Sequence, residues 1–121
     1  MAESKNIHSQ LIPKIATGFC SGMAQTCNIC GAVSGAIMAI SLFSGRNDPD
    51  EKVDTNYTMV QKFIDMFENE FSTTNCRQLI GCDLRTAQGQ KKFKEDNLIK
   101  ACKVYTKKAT QIAMSIIEKR V

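Results

Sequence analysis

Residues 28–45 read NICGAVSGAIMAISLFSG, and this stretch decides the fold. It contains no breaker other than glycine and no charge. Indeed no charged residue occurs between Ile15 and Arg46. The pattern predicts a helix from about Asn28, a good N-cap residue, to Ser44, with Gly45 as its stop. Such a helix is apolar all round, so in water it persists only where other elements cover every side. A membrane span needs roughly 20 mainly apolar residues. The continuous apolar part here, Ile29 to Phe43, falls short of that and carries Ser34 and Ser41. Thr17, Ser21, Gln25, Thr26 and Asn28 interrupt the approach to it. The reading is therefore a buried central helix and no membrane span. Gly31, Gly35 and Ala39 recur at every fourth position, which gives one stripe of the helix almost no side chain and lets a neighbouring backbone approach.

The covering elements are legible on either side. Downstream, Asp48 is placed as an N-cap, Pro49 at the first helical position and Glu51 three residues after the cap, the arrangement of a capping box. Val53, Tyr57, Val60, Ile64, Phe67 and Phe71 then follow at spacings of four and three, one continuous apolar stripe. Leu98, Cys102, Tyr105, Ala109, Ile112 and Ile116 repeat the pattern near the C-terminus. Between these helices, Asn75 or Thr74 can cap a short turn Cys76–Ile80 ended by Gly81, and the polar stretch Asp83–Gln90 reads as loop. Upstream, Gly18–Gly22 is a glycine-rich turn, preceded by a short helix or arm within residues 1–17. Two amphipathic helices beside an apolar one predict an all-α fold, a small helical bundle of about four to five helices. At 121 residues the chain has the length of one domain, 1–121.

Charge is unevenly spread. Asn47 to Cys76 carries a net −5 and Arg77 to Val121 a net +7, which reads as two solvated faces that attract each other within the fold or across a dimer. Tyr105 is the only aromatic in the basic run Lys100–Lys108, so the run lacks the stacking platform of a nucleic-acid surface. His8 is the sole histidine, and Asp65, Glu68 and Glu70 read as a solvated face. No phosphate loop, histidine-containing zinc motif or calcium loop is present. The segment Met1–Asn6 has no apolar run behind its charges, which speaks against a signal peptide and for a reducing, cytoplasmic setting.

In that setting the six cysteines carry the chemistry. Cys20, Cys27 and Cys30 form a Cys-x6-Cys-x2-Cys group around the start of the apolar helix, and Cys76 lies at a second helix start. A helix N-terminus stabilises a thiolate, so Cys27, Cys30 and Cys76 are the activated candidates and Cys30 and Cys76 are expected to alkylate first. Cys102 lies on the buried stripe of its helix, and Cys82 reads as structural.

Cys30-Gly31-Ala32-Val33-Ser34-Gly35 matches a CGAxxG signature, followed by Asn75-Cys76-Arg77-Gln78-Leu79-Ile80-Gly81 and then by Cys102 and Tyr105. Upstream stands Gly18-Phe19-Cys20-Ser21-Gly22-Met23. From Gly18 onward the chain resembles the redox-active C_GCAxxG_C_C family. The resemblance implies thiol redox chemistry, with Cys30, Cys76 and Cys102 as the signature cysteines. The family's first cysteine lies well before the glycine turn, where this chain has none, so Cys20 or Cys27 substitutes for it or one thiol of the set is missing.

Three functions compete. The leading one is a cytoplasmic thiol/disulfide redox protein that cycles Cys30 with Cys27, Cys76 or Cys102, needs no cofactor and serves an unidentified redox partner protein. The second is a metal-binding module with Cys20, Cys27, Cys30 and Cys76 as ligands for zinc or an iron–sulfur cluster. The third is a non-catalytic interaction protein, a homodimer that packs its small-residue helix against a partner. Sequence leaves the disulfide pairing open, since six cysteines allow fifteen full connectivities.

Overall fold

The computed structural model describes residues 7–119 and is helical throughout, with α1 (Leu11–Ala16), a 3-10 turn (Thr17–Phe19), α2 (Cys20–Met23), α3 (Gly31–Ser44), α4 (Asp54–Phe71), α5 (Cys76–Ile80), α6 (Ala87–Glu95) and α7 (Ile99–Lys119). The expected all-α fold is thereby borne out. Residues 1–6, on which the signal-peptide reading rests, lie outside the described residues. No helix among the described residues is long and apolar enough to cross a membrane.

The apolar helix α3 is the hub, packed against both α4 and α7. Val33, Ala36 and Ile40 on α3, Met59, Phe63 and Phe67 on α4, and Ala109, Ile112, Ala113, Ile116 and Ile117 on α7 form the main core. Phe63 and Phe67 are fully buried, which stabilises the fold by about 1.5–3 kcal/mol each relative to exposure. An aromatic row continues from Phe63 and Phe67 through Phe71 to Tyr105, with centroid separations of 6.0, 4.9 and 4.8 Å. It leads from the bundle interior towards the cysteines.

Several local expectations are corrected. Helix α3 starts at Gly31 with Cys30 as its N-cap, three residues after the predicted start. The reason is tertiary: residues 28–30 are drawn into a bridge with residues 74–76 (Ile29 opposite Asn75), and their backbone groups are used there. Asp48 and Glu51 make cap-like hydrogen bonds, to the amides of Asp50 and Asn47, yet these close only an isolated turn and α4 begins at Asp54. The buried row of α4 is Met59, Phe63 and Phe67. Tyr57 of the predicted stripe is 57% exposed, because the face that meets α3 and α7 is rotated from the predicted one. The predicted loop Asp83–Gln90 runs into a helix, α6, capped by the Thr86 hydroxyl accepting from the Gly89 amide at 2.9 Å. Its one large apolar residue, Phe93, gives no periodicity to read. Of the two glycines in the small stripe of α3, Gly31 meets a neighbouring backbone, whereas Gly35 is exposed and faces open space. The short turn Cys76–Ile80 with its Asn75 cap and Gly81 stop is found as predicted. Opposite charges meet at Lys108 and Glu70, 4.0 Å apart between α7 and α4, a pair exposed enough to contribute little.

Candidate functional site

A second, smaller core sits beside the bundle and consists largely of sulfur. Cys27, Cys76, Cys82, Ile80 and Leu84 are buried together, with Cys102, Tyr105, Phe93 and Leu98 packed against them. Cys30 packs against the neighbouring main core, as Tyr105 also does, and is near enough to act electrostatically on Cys76 and Cys102. Five thiols thus converge from three stretches of chain around 27–30, 76–82 and 102. All six cysteines are free, and Cys20 alone is exposed.

The bridge between residues 28–30 and 74–76 brings the first two stretches together. The Cys30 amide donates to the Thr74 carbonyl at 2.8 Å and the Cys76 amide to the Asn28 carbonyl at 2.6 Å. Each cysteine then opens a helix, Cys30 as the N-cap of α3 and Cys76 as the first residue of α5. The third stretch is held by Tyr105, whose hydroxyl donates to the Leu79 carbonyl at 2.8 Å and ties α7 to α5.

The wall of the site is an unusual run of backbone. Ser21, Gly22, Met23, Ala24 and Gln25 all take left-handed φ values, as does Cys27. Such a conformation costs a non-glycine residue roughly 1–2 kcal/mol, so it persists only where the surroundings hold it. Here the Ala24 amide donates to the Cys20 carbonyl, the Asn28 amide to the Gly22 carbonyl, and the Thr26 hydroxyl to the carbonyls of Gly22 and Met23. The run lays Gly22 against the thiols. A Cβ added there would lie 2.7 Å from Cys76 Cβ and 2.8 Å from both Cys27 Cα and the Asn28 nitrogen.

Cys27 is the best-anchored thiol. Its Sγ accepts from the Leu84 amide at 3.2 Å and donates to the Cys82 carbonyl at 3.7 Å, and it is buried in one cluster with Cys76. Burial first, then the Cys27 thiol, pushes Cys76 up to about 12. Cys82 is raised by burial and by Cys27, and Cys102 by burial and by Cys30. Tyr105 is raised by burial and by Cys102 and Cys30. The physics is common to all of them: an anion in an apolar nest is poorly solvated, and a neighbouring thiolate makes a second one harder to form. Cys76, Cys82 and Cys102 therefore retain their protons at neutral pH. Cys30 and Cys102 are only half-buried, and of the two Cys30 is the N-cap of a long helix.

The residues expected from sequence divide accordingly. Cys27, Cys30, Cys76 and Cys102 are brought together. Cys76 starts a helix as expected, but it is buried there and burial pushes its pKa up, against the activation that a helix start favours. Cys20 faces solvent on the outer side of the turn. Among the described residues, no group of three or more His, Cys, Asp or Glu side chains is placed to hold a metal ion. Cys82 was not legible as a site residue. It follows a helix stop in an irregular segment, and only its packing against Cys27 and Leu84 reveals it.

The model of the family described as "Putative redox-active protein (C_GCAxxG_C_C)" matches residues 1–116. No curated protein and no solved structure matches the chain.

Proposed function

Because the chain belongs to the C_GCAxxG_C_C family, we propose that it is a thiol/disulfide redox protein whose attacking group is Cys30. The Cys30 thiolate attacks a sulfur of a substrate disulfide, forming a mixed disulfide and releasing one substrate thiolate, which takes up a proton. A second thiol of the cluster, from Cys27, Cys76 or Cys102, then attacks the Cys30 sulfur. The substrate leaves as its second thiol, and the protein is left with an internal disulfide. Two electrons and two protons have passed from protein to substrate, without any cofactor. In a reducing compartment such as the cytoplasm the dithiol is the resting form.

One observation carries this reading: four free thiols, Cys27, Cys76, Cys82 and Cys102, share one small core, and half-buried Cys30 stands as the N-cap of the long helix α3. A purely structural set of cysteines has no need of mutual contact, since burying like groups that resist ionisation together gains nothing over burying alanine or valine.

The test is to mix reduced protein with glutathione disulfide, quench in acid and follow mass. The wild type should lose two hydrogens per disulfide formed, through a transient glutathione adduct on Cys30. In Cys30→Ser the rapid phase should slow at least about tenfold, because the half-buried thiol that caps a long helix is gone. Oxidation of Cys30→Ser at the wild-type rate would remove Cys30 from the mechanism.

A further inference from the structure

The left-handed turn touches both halves of the site, and its regulation of Cys30 rests on the redox reading above. We infer that Cys27 and Cys76 are a modification site, a reversible disulfide that latches this turn over the start of α3 and slows the thiol chemistry of Cys30.

The pairing follows from Gly22, which is wedged between the two cysteines. A Cβ added there would lie 2.7 Å from Cys76 Cβ and 2.8 Å from Cys27 Cα. One point so near to both keeps the two atoms within about 5.5 Å of each other, inside the reach of a disulfide, whose Cβ atoms are about 3.5–4.5 Å and Cα atoms about 4.4–6.8 Å apart. Both residues are buried in the same sulfur-rich core, at 4% and 6% exposure. The Cys76 amide also donates to the carbonyl of Asn28, the residue after Cys27, at 2.6 Å, so the main chain already fixes the approach. Other partners for Cys27 are less well placed. Residues 28–30 are drawn out along the bridge to residues 74–76, which sets Cys30 roughly 10 Å from Cys27 at about 3.3 Å per residue. At Cys82 the main-chain carbonyl meets the Cys27 thiol, at 3.7 Å.

The same turn reaches the neighbourhood of Cys30. Phe19 O, Cys20 Cα and Ser21 N are the atoms nearest to a Cβ added at Gly31, at 3.2, 3.5 and 3.8 Å, and Gly31 directly follows Cys30. The segment thus rests on the first residue of α3 at one end and, through Gly22, on Cys27 and Cys76 at the other. Residues 21–25 between these contacts all have left-handed φ, a conformation kept only by its surroundings. In the reduced protein those surroundings are hydrogen bonds and packing, and Ser21, Ala24 and Gln25 face solvent. Such a segment opens at lower cost than the bundle unfolds. A Cys27–Cys76 disulfide makes the cradle of Gly22 covalent and suppresses that opening. It closes by exchange with a low-molecular-weight disulfide while the turn is open. The Cys27 sulfur attacks one sulfur of that molecule and releases one small thiol; the Cys76 sulfur then attacks the Cys27 sulfur and releases the second. Two protein thiols become one disulfide, the small disulfide becomes two thiols, and two electrons and two protons pass to it.

The experiment incubates the full chain with excess glutathione disulfide, then strips glutathione from accessible cysteines with brief, limiting dithiothreitol. Peptide mapping should find Cys27 joined to Cys76. Iodoacetamide labelling of Cys30 should then be at least about fivefold slower than in fully reduced protein, because the turn no longer opens. Cys76→Ser and Cys27→Ser, each checked for helicity by circular dichroism and carried through the same treatment, should label Cys30 at the rate of their own reduced forms. Cys27 joined to Cys82 or Cys30, or a Cys27–Cys76 disulfide with Cys30 labelling unchanged, overturns the latch and leaves the redox reading standing. Absence of any glutathione adduct on Cys30 overturns the redox reading alone, since iodoacetamide labelling still reports the latch.

Discussion

Gly22→Ala is the sharpest test of the site's construction. Two costs add at this position. The backbone has φ +68°, and an L-residue pays roughly 1–2 kcal/mol to stay there. The new methyl would also lie 2.7–2.8 Å from Cys76 Cβ, Asn28 N and Cys27 Cα, none of which is the free end of a flexible side chain. Forcing a methyl into such a space costs about 1–3 kcal/mol, for a total of about 2–5 kcal/mol. The paired control is Gly35→Ala. Gly35 lies inside α3, has ordinary helical φ and nothing within 4 Å of an added Cβ. There alanine should stabilise by about 0.5–1 kcal/mol, because it restricts the unfolded chain more and suits a helix better. Urea unfolding followed by circular dichroism gives both values. The cost at Gly22 should also appear locally, as faster alkylation of Cys27 and Cys76 when the turn is pushed off the cluster. A Gly22→Ala variant within about 0.5 kcal/mol of wild type, with unchanged alkylation, would refute the packing of the turn against the thiols.

Two further outcomes follow from the same geometry. Cys76 is raised above its unfolded value, so its contribution to stability is complete below about pH 9 and is lost as pH rises towards about 12. The unfolded chain releases this proton first, so the urea midpoint should fall between pH 8 and pH 10.5, with a slope from this group of at most about 1.4 kcal/mol per unit. Cys76→Ser should flatten the fall only in part, since Cys82, Cys102 and Tyr105 are shifted in the same direction; a pH-independent midpoint in wild type would contradict the buried-thiol assignment. Limiting alkylation of reduced protein with peptide mapping should label exposed Cys20 and half-buried Cys30 before Cys27, Cys76 and Cys82, and early labelling of Cys76 would show that the nest is open in solution.

How much could be read in advance depended on the range of the forces involved. The uncharged run 29–44 dictated a central buried helix, because an all-apolar helix has no other stable place in water. Asn75, Cys76 and Gly81 fixed a short helix through contacts within a few residues, and it stands where the sequence put it. The family signature marked Cys30, Cys76 and Cys102 as the residues of interest. What failed was whatever a distant segment could overrule. The start of α3 moved from Asn28 to Gly31 because residues 74–76 took the backbone hydrogen bonds of residues 28–30. Helix α4 turned Tyr57 outward because α3 and α7 together chose its inner face. Helix α6 was hidden because a polar cap and a single Phe93 leave no period.

The site shows the same division more sharply. Sequence by itself determined which atoms are available, six thiols and a glycine-rich turn in front of an apolar helix. It could not say that Cys82 joins them, that Cys20 faces away, or that Cys76 is held protonated. Those outcomes depend on desolvation and on thiol-to-thiol distance, and both arise only when residues 27, 76, 82 and 102 are brought into one volume. A helix dipole is a local property and could be predicted at Cys76; the apolar nest that opposes it, and pushes the Cys76 pKa up, is a property of the packed structure.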